Sequence, residues 1–121
     1  MSRARTAERL EPIINFSSGF LYMVSIFGVT GASESINQLT LNTIHRIKLQ
    51  IGDRIPLAVG FGISEPEHVS TIIKNGADGA IVGSALVKVV ERYGDDLENM
   101  TGALELNTTK LKAGTLSGAV I

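Results

Sequence analysis

Three short turns carry the residue types from which an anion site can be built: Gly28-Val29-Thr30-Gly31, Gly60-Phe61-Gly62-Ile63-Ser64 and Gly83-Ser84-Ala85. Each follows an apolar run of strand character. Glycine lets a backbone approach a ligand closely, so successive N–H groups can point at one anion, and a helix opening at Ser84 adds unpaired donors and its positive dipole end. A phosphate needs such donors and no lysine. None of the turns ends in Gly-Lys-Ser/Thr, which excludes the nucleoside-triphosphate loop, and Gly60-Phe61-Gly62 lacks the third glycine of the dinucleotide fingerprint. Taken singly, a glycine after a strand is more often a tight-turn requirement than a binding device. The convergence of three is what points to phosphate.

The other polar residues carry less chemistry. His45 and His68 fall in helical segments, far apart and without metal-ligand spacing to a carboxylate; both read as surface helix residues, and no metal site is expected. Asp78 precedes the third strand and could touch a ligand, but it belongs to the amino end, opposite the glycine turns. Lys88, Glu91 and Arg92, at i, i+3 and i+4, form a solvated helix face. Tyr22 lies on the first strand near the edge of the turns, and reads either as a pocket wall or as a core tyrosine with a satisfied hydroxyl.

Hydrophobic periodicity supplies the elements that position these turns. Thr6 to Phe16 places Leu10, Ile13 and Ile14 at helical spacing, with Pro12 expected to remove a donor and kink the helix. Phe20 to Ser25 is a short apolar run bounded by glycines and reads as a strand buried on both faces. Ser35 to Ile51 predicts a helix ending near Gly52. Leu57-Ala58-Val59 is the second strand, and Ser64-Glu65-Pro66-Glu67 predicts a capping box with Ser64 as N-cap and Glu67 at the third helical position. The helix that follows shows Val69, Ile72 and Ile73 on one face and stops at Asn75-Gly76. Ala80-Ile81-Val82 is the third strand, Gly83-Ser84 opens another helix, Asp95 to Lys112 forms a last one, and Gly114 to Ile121 reads as a frayed tail. Strands alternating with helices imply a parallel sheet, open or part of a (β/α)8 barrel, with all three turns at the carboxyl ends of the strands, where ligands bind in such folds.

Composition narrows the partners. The chain has 121 residues, room for one domain or part of a larger one. Eleven basic against twelve acidic side chains give a net charge of −1, which leaves no field for generic nucleic-acid or anionic-membrane binding. With no cysteine, disulfides, thiolate metal sites and a cysteine nucleophile are impossible. No apolar run approaches the roughly 20 residues that span a bilayer. Arg3 and Arg5 lead into Ala7-Glu8-Arg9-Leu10-Glu11 rather than the apolar core of a secretory signal, so an intracellular location is expected. The mean hydropathy of +0.22 is high for so short a chain and points to a need for a partner surface.

Several of these segments resemble one family. Gly19-Phe20-Leu21-Tyr22-Met23-Val24-Ser25, followed after two residues by Gly28-Val29-Thr30-Gly31-Ala32, is similar to the sixth strand and following loop of the tryptophan synthase alpha subunit. Val59 to Glu67 resembles that family's seventh strand and turn, and Ala77 to Lys88 its eighth. The resemblance covers roughly residues 6 to 112. It implies the C-terminal part of a (β/α)8 TIM barrel, with three parallel strands and flanking helices in a single partial domain over residues 1–121. The family's reaction is the retro-aldol cleavage of indole-3-glycerol phosphate to indole and glyceraldehyde 3-phosphate in tryptophan biosynthesis, a carbon-carbon lyase activity of the cytoplasm. The indole passes to a beta subunit that carries pyridoxal phosphate, so no cofactor of this chain's own is implied.

Carried over by motif, Gly31, Gly62, Gly83 and Ser84 would hold the substrate phosphate, with Phe61 and Ile63 beside it. Tyr22 would line the indole-glycerol pocket, and Thr30 would brace the loop after the sixth strand. Barrels of this type take about 250 residues, so the resemblance implies a chain beginning near the fifth helix. The family's two catalytic carboxylates belong to its second strand and the loop after it, and none of the twelve acidic residues here stands in a matching context. No catalytic residue, and no turnover by this chain alone, is therefore expected. Two other readings stay open: a piece of another phosphate-binding barrel enzyme, against which the Gly28 to Ala32 loop argues, and a non-catalytic module that self-associates through open sheet edges.

Overall fold

A computed structural model describes residues 3–25, 29–30, 35–60 and 62–119. The elements run α1 (Arg3–Phe16), β1 (Leu21–Val24), β2 (Val29–Thr30), β3 (Ser35–Ile36), α2 (Gln38–Ile51), β4 (Leu57–Gly60), α3 (Pro66–Lys74), β5 (Gly79–Ile81), α4 (Ser84–Tyr93) and α5 (Leu97–Ala119). Strands β1, β4 and β5 form a parallel sheet in that order, as the alternation of strands and helices predicts. Its register sets Tyr22 beside Ala58 and Ala58 beside Gly79, then Val24 beside Gly60 and Gly60 beside Ile81.

Among the described residues, only one face of this sheet is covered. Leu57 and Val59 point into a core shared with Ile14 of α1, Ile44 and Ile51 of α2, Val69 and Ile72 of α3 and Leu111 of α5, with Leu21 and Met23 packed at its margin. The other face is open: Phe20, Tyr22 and Val24 are 55%, 49% and 51% exposed. The expected burial of the first strand on both faces is thus corrected. Apolar side chains at alternate positions face outward because no described element packs over them.

At the amino edge the sheet is fastened by Asp78. Its N–H donates to the Leu57 carbonyl at 2.8 Å, and its carboxylate accepts from the Leu57 N–H and the Lys48 ammonium, both at 2.8 Å. Partial burial alone would raise this carboxyl, but Lys48 and the Leu57 N–H together hold it below the usual carboxylate range. Asp78 is therefore occupied structurally, away from the glycine turns.

Several local expectations are also corrected. Helix α1, by contrast, forms where the spacing predicts it, with Pro12 inside it. Glu8, whose carbonyl loses the Pro12 donor, is exposed, so that carbonyl can turn to water. Ser35 and Ile36 pair antiparallel with Thr30 and Val29 rather than opening α2, which starts after Asn37, whose side chain accepts from the Leu39 N–H at 2.8 Å. The cap of α3 is Glu65, not Ser64, because Pro66 takes the first helical position. The third position is consequently His68 rather than Glu67. Finally, residues 113–119 continue α5 instead of fraying. Gly114 is buried against α3, where a Cβ would stand 2.5 Å from the Pro66 carbonyl oxygen.

Candidate functional site

The parallel register brings two of the three glycine turns together. Gly60 and Ile81 are partners at the carboxyl ends of adjacent strands, so Gly62 and Gly83, each two residues further on, leave the sheet side by side. Gly62 adopts φ +82°, a left-handed conformation that side-chain-bearing residues rarely take, so the turn itself requires glycine there. Gly83 differs. Its φ is −123°, and a Cβ would meet nothing within 4 Å.

Gly83 caps α4, its carbonyl accepting from the Leu86 and Val87 N–H groups at 3.0 Å. It has no side chain to return a bond to the first turn, and Gly83 and Ser84 are both exposed. The opening N–H groups of a ten-residue helix therefore face the carboxyl edge without a side-chain cap. An anion is a natural partner for such a group of donors.

Tyr22 projects from β1 onto the open face rather than into the core. Its ring lies over Gly60: a Cβ on Gly60 would stand 2.7 Å from the Tyr22 hydroxyl oxygen and 3.0 Å from Cε1. Gly60 is thus the seat of Tyr22, a role hidden in the sequence because it depends on the pairing of strands 36 residues apart. Ile63 has its side chain in the helix-side core at 2% exposure, so only its backbone remains for a ligand. Gly31 and Phe61 lie outside the described residues. Of Thr30 the backbone is placed, paired with Ser35.

The two histidines part company. His45 is exposed on α2, as expected. His68, expected at the surface, is only 4% exposed, and its Nδ1 accepts from the backbone N–H groups of Ser64 and Glu65, each at 3.1 Å. Pro66 carried the readable signal: proline at the first helical position fixes Glu65 as cap and makes His68 the residue that can reach back. A second buried polar contact joins the end of β1 to α2, where Ser25 Oγ and Thr40 Oγ1 are 2.9 Å apart. Among the described residues no group of three histidines and carboxylates could hold a metal, and no helix is long and apolar enough to cross a membrane.

Comparison with known proteins gives the family and the fold of the whole barrel. The chain is 44% identical to the tryptophan synthase alpha chain of Arabidopsis thaliana over 110 residues, covering 91% of this chain and 39% of the relative. It is 51% identical over 89 residues to that of Methanocaldococcus jannaschii, covering 74% and 31%. Among solved structures, the tryptophan synthase a2b2 complex of Pyrococcus furiosus superposes with a TM-score of 0.77 at 39% identity, over 88% of this chain and 41% of its counterpart. The chain spans 31–41% of the length of these relatives, and its three parallel strands with flanking helices are a partial barrel. Because the model of the tryptophan synthase alpha chain family matches residues 1–116, nearly the whole sequence, the chain belongs to that family.

Proposed function

We propose that this chain supplies the phosphate-holding wall of a tryptophan synthase alpha barrel, gripping the glycerol phosphate end of indole-3-glycerol phosphate during its cleavage to indole and glyceraldehyde 3-phosphate. The observation that carries the reading is the pairing of the Gly62 turn with the start of α4, which has no side-chain cap, at one sheet edge. The fold makes no demand for glycine at position 83, so the open space there is best explained by a ligand's approach. In this reading Gly31, Gly62, Gly83 and Ser84 bind phosphate through the backbone. Phe61 and the Ile63 backbone flank it, Tyr22 walls the indole side of the pocket, and Thr30 steadies the loop above it.

General acid/base catalysis needs a group within hydrogen-bonding reach of the reacting carbon. No carboxylate of this chain stands in the family's catalytic context, so the chain alone is expected to bind without turning over. The pyridoxal phosphate of the pathway's next step belongs to the beta subunit, the partner of the completed barrel, and the cytoplasm is the compartment that suits this work. The open face of β1 and the unpaired edges of β1 and β5 also support self-association; a concentration-independent monomer in sedimentation velocity would count against that.

Calorimetric titration with glycerol 3-phosphate tests the phosphate assignment. Gly83→Asp, which sets a carboxylate against the anion without crowding the fold, should weaken binding by about tenfold or more. Equal affinity in both proteins would sink the assignment, and indole release from indole-3-glycerol phosphate by the chain alone would sink the claim that it lacks catalytic groups.

A further inference from the structure

We propose that His68 is a positioning residue for the anion-binding turn, an inference that rests on the phosphate reading above. Its ring is buried under the start of α3, and one nitrogen, Nδ1, gathers the backbone N–H groups of both Ser64 and Glu65. Those two residues directly follow Gly62 and Ile63, the part of the turn assigned to the ligand. An imidazole nitrogen that accepts carries no proton, so the ring holds its proton on Nε2. With two consecutive amides drawn inward to the histidine, the chain can leave Gly62 in one direction only. The Ile63 side chain, anchored in the core beside it, fixes the other end.

The turn thus has a side-chain brace beneath it as well as a glycine within it. Backbone donors stabilise a bound anion most when they are already oriented before it arrives. His68 touches no ligand in this account; it acts through the amides it holds.

The test uses the full chain and two substitutions. His68→Asn places an amide oxygen close to where Nδ1 accepts, and His68→Leu fills similar volume with no acceptor. Loss of the acceptor should weaken glycerol 3-phosphate binding by about tenfold, whereas His68→Asn should stay within about threefold of wild type. Amide exchange at Ser64 and Glu65 should quicken in His68→Leu and remain slow in His68→Asn. Unchanged binding in His68→Leu, or failure of His68→Asn to rescue, would overturn the role of His68 while leaving the phosphate site standing. Absence of binding in wild type would bring down the phosphate reading itself. Should His68→Leu not fold, nitrogen NMR of the wild-type ring decides the contact: a protonated Nδ1 in the neutral ring contradicts the proposal.

Discussion

Glycine has different causes along this short chain, and the differences separate folding from function. Gly62 is required by its positive φ, and at Gly60 a Cβ would press on the Tyr22 ring and on the Ile81 Cβ at 3.0 Å. Gly83 is required by neither, which makes it the informative residue of the site. All three types were legible in the sequence as glycines after strands, but their causes were not, because a backbone angle and a cross-strand neighbour appear only once the register is fixed. Ser25 is similar. Its hydroxyl meets that of Thr40 across 15 positions of sequence, both of them buried, in a contact no local pattern announces. Ser25→Ala should cost about 1–2 kcal/mol in denaturant unfolding, because it strands a buried hydroxyl on Thr40. The double variant Ser25→Ala, Thr40→Val should lose less than the two single losses combined. An unchanged unfolding midpoint for Ser25→Ala would show that the pair contributes nothing.

At the scale of elements, the alternation of strands and helices was readable because the strands of the parallel sheet are compact apolar runs with a glycine close behind. The errors fall where tertiary contact outweighs local pattern. Ser35 and Ile36 carry helical periodicity but find a strand partner in Thr30 and Val29. Gly114 reads as the start of a frayed tail, yet it packs against α3, where a Cβ would stand 2.5 Å from the Pro66 carbonyl oxygen and 3.1 Å from the Val69 Cβ. Helix α1 depends on a polar clasp: the Glu11 carboxylate accepts from Arg54, and from Gln50 at 2.7 Å, while Gln50 also donates to the Ala7 carbonyl at 2.8 Å. The Arg54 hydrogen bond, followed by that of Gln50, lowers the Glu11 carboxyl from 4.5 to about 2. A depressed carboxyl stabilises the fold fully above its unfolded value and loses that contribution as pH falls through the folded one. The stability difference between wild type and Glu11→Gln should therefore shrink as pH drops from 4.5 toward 2. A difference that stays constant across that window would show that the clasp does not hold α1.

For the molecule as a whole, the apolar fraction of 44% finds its explanation in the open sheet face. Tyr22 and Val24 would be surplus in a finished small domain; in a partial barrel they line the side that further βα units close. Anchoring contacts at Asp78 occupy the amino edge, and the glycine turns occupy the carboxyl edge, so the structural anchor and the proposed binding turns lie at opposite ends of three short strands. That division was legible from the order of strands and turns. The one-sided cover of the sheet was not, since a strand meant for burial looks the same whether or not its cover is present. The central claim, that this chain keeps a phosphate site without the catalytic groups, is tested most directly by residue-resolved NMR of the glycerol 3-phosphate titration. The amide signals of Gly62, Ile63, Gly83 and Ser84 should move together and saturate, while those of Leu57 and Asp78 at the amino edge stay in place. Signals that remain fixed at the glycine turns, or that move only at the amino edge, would contradict it.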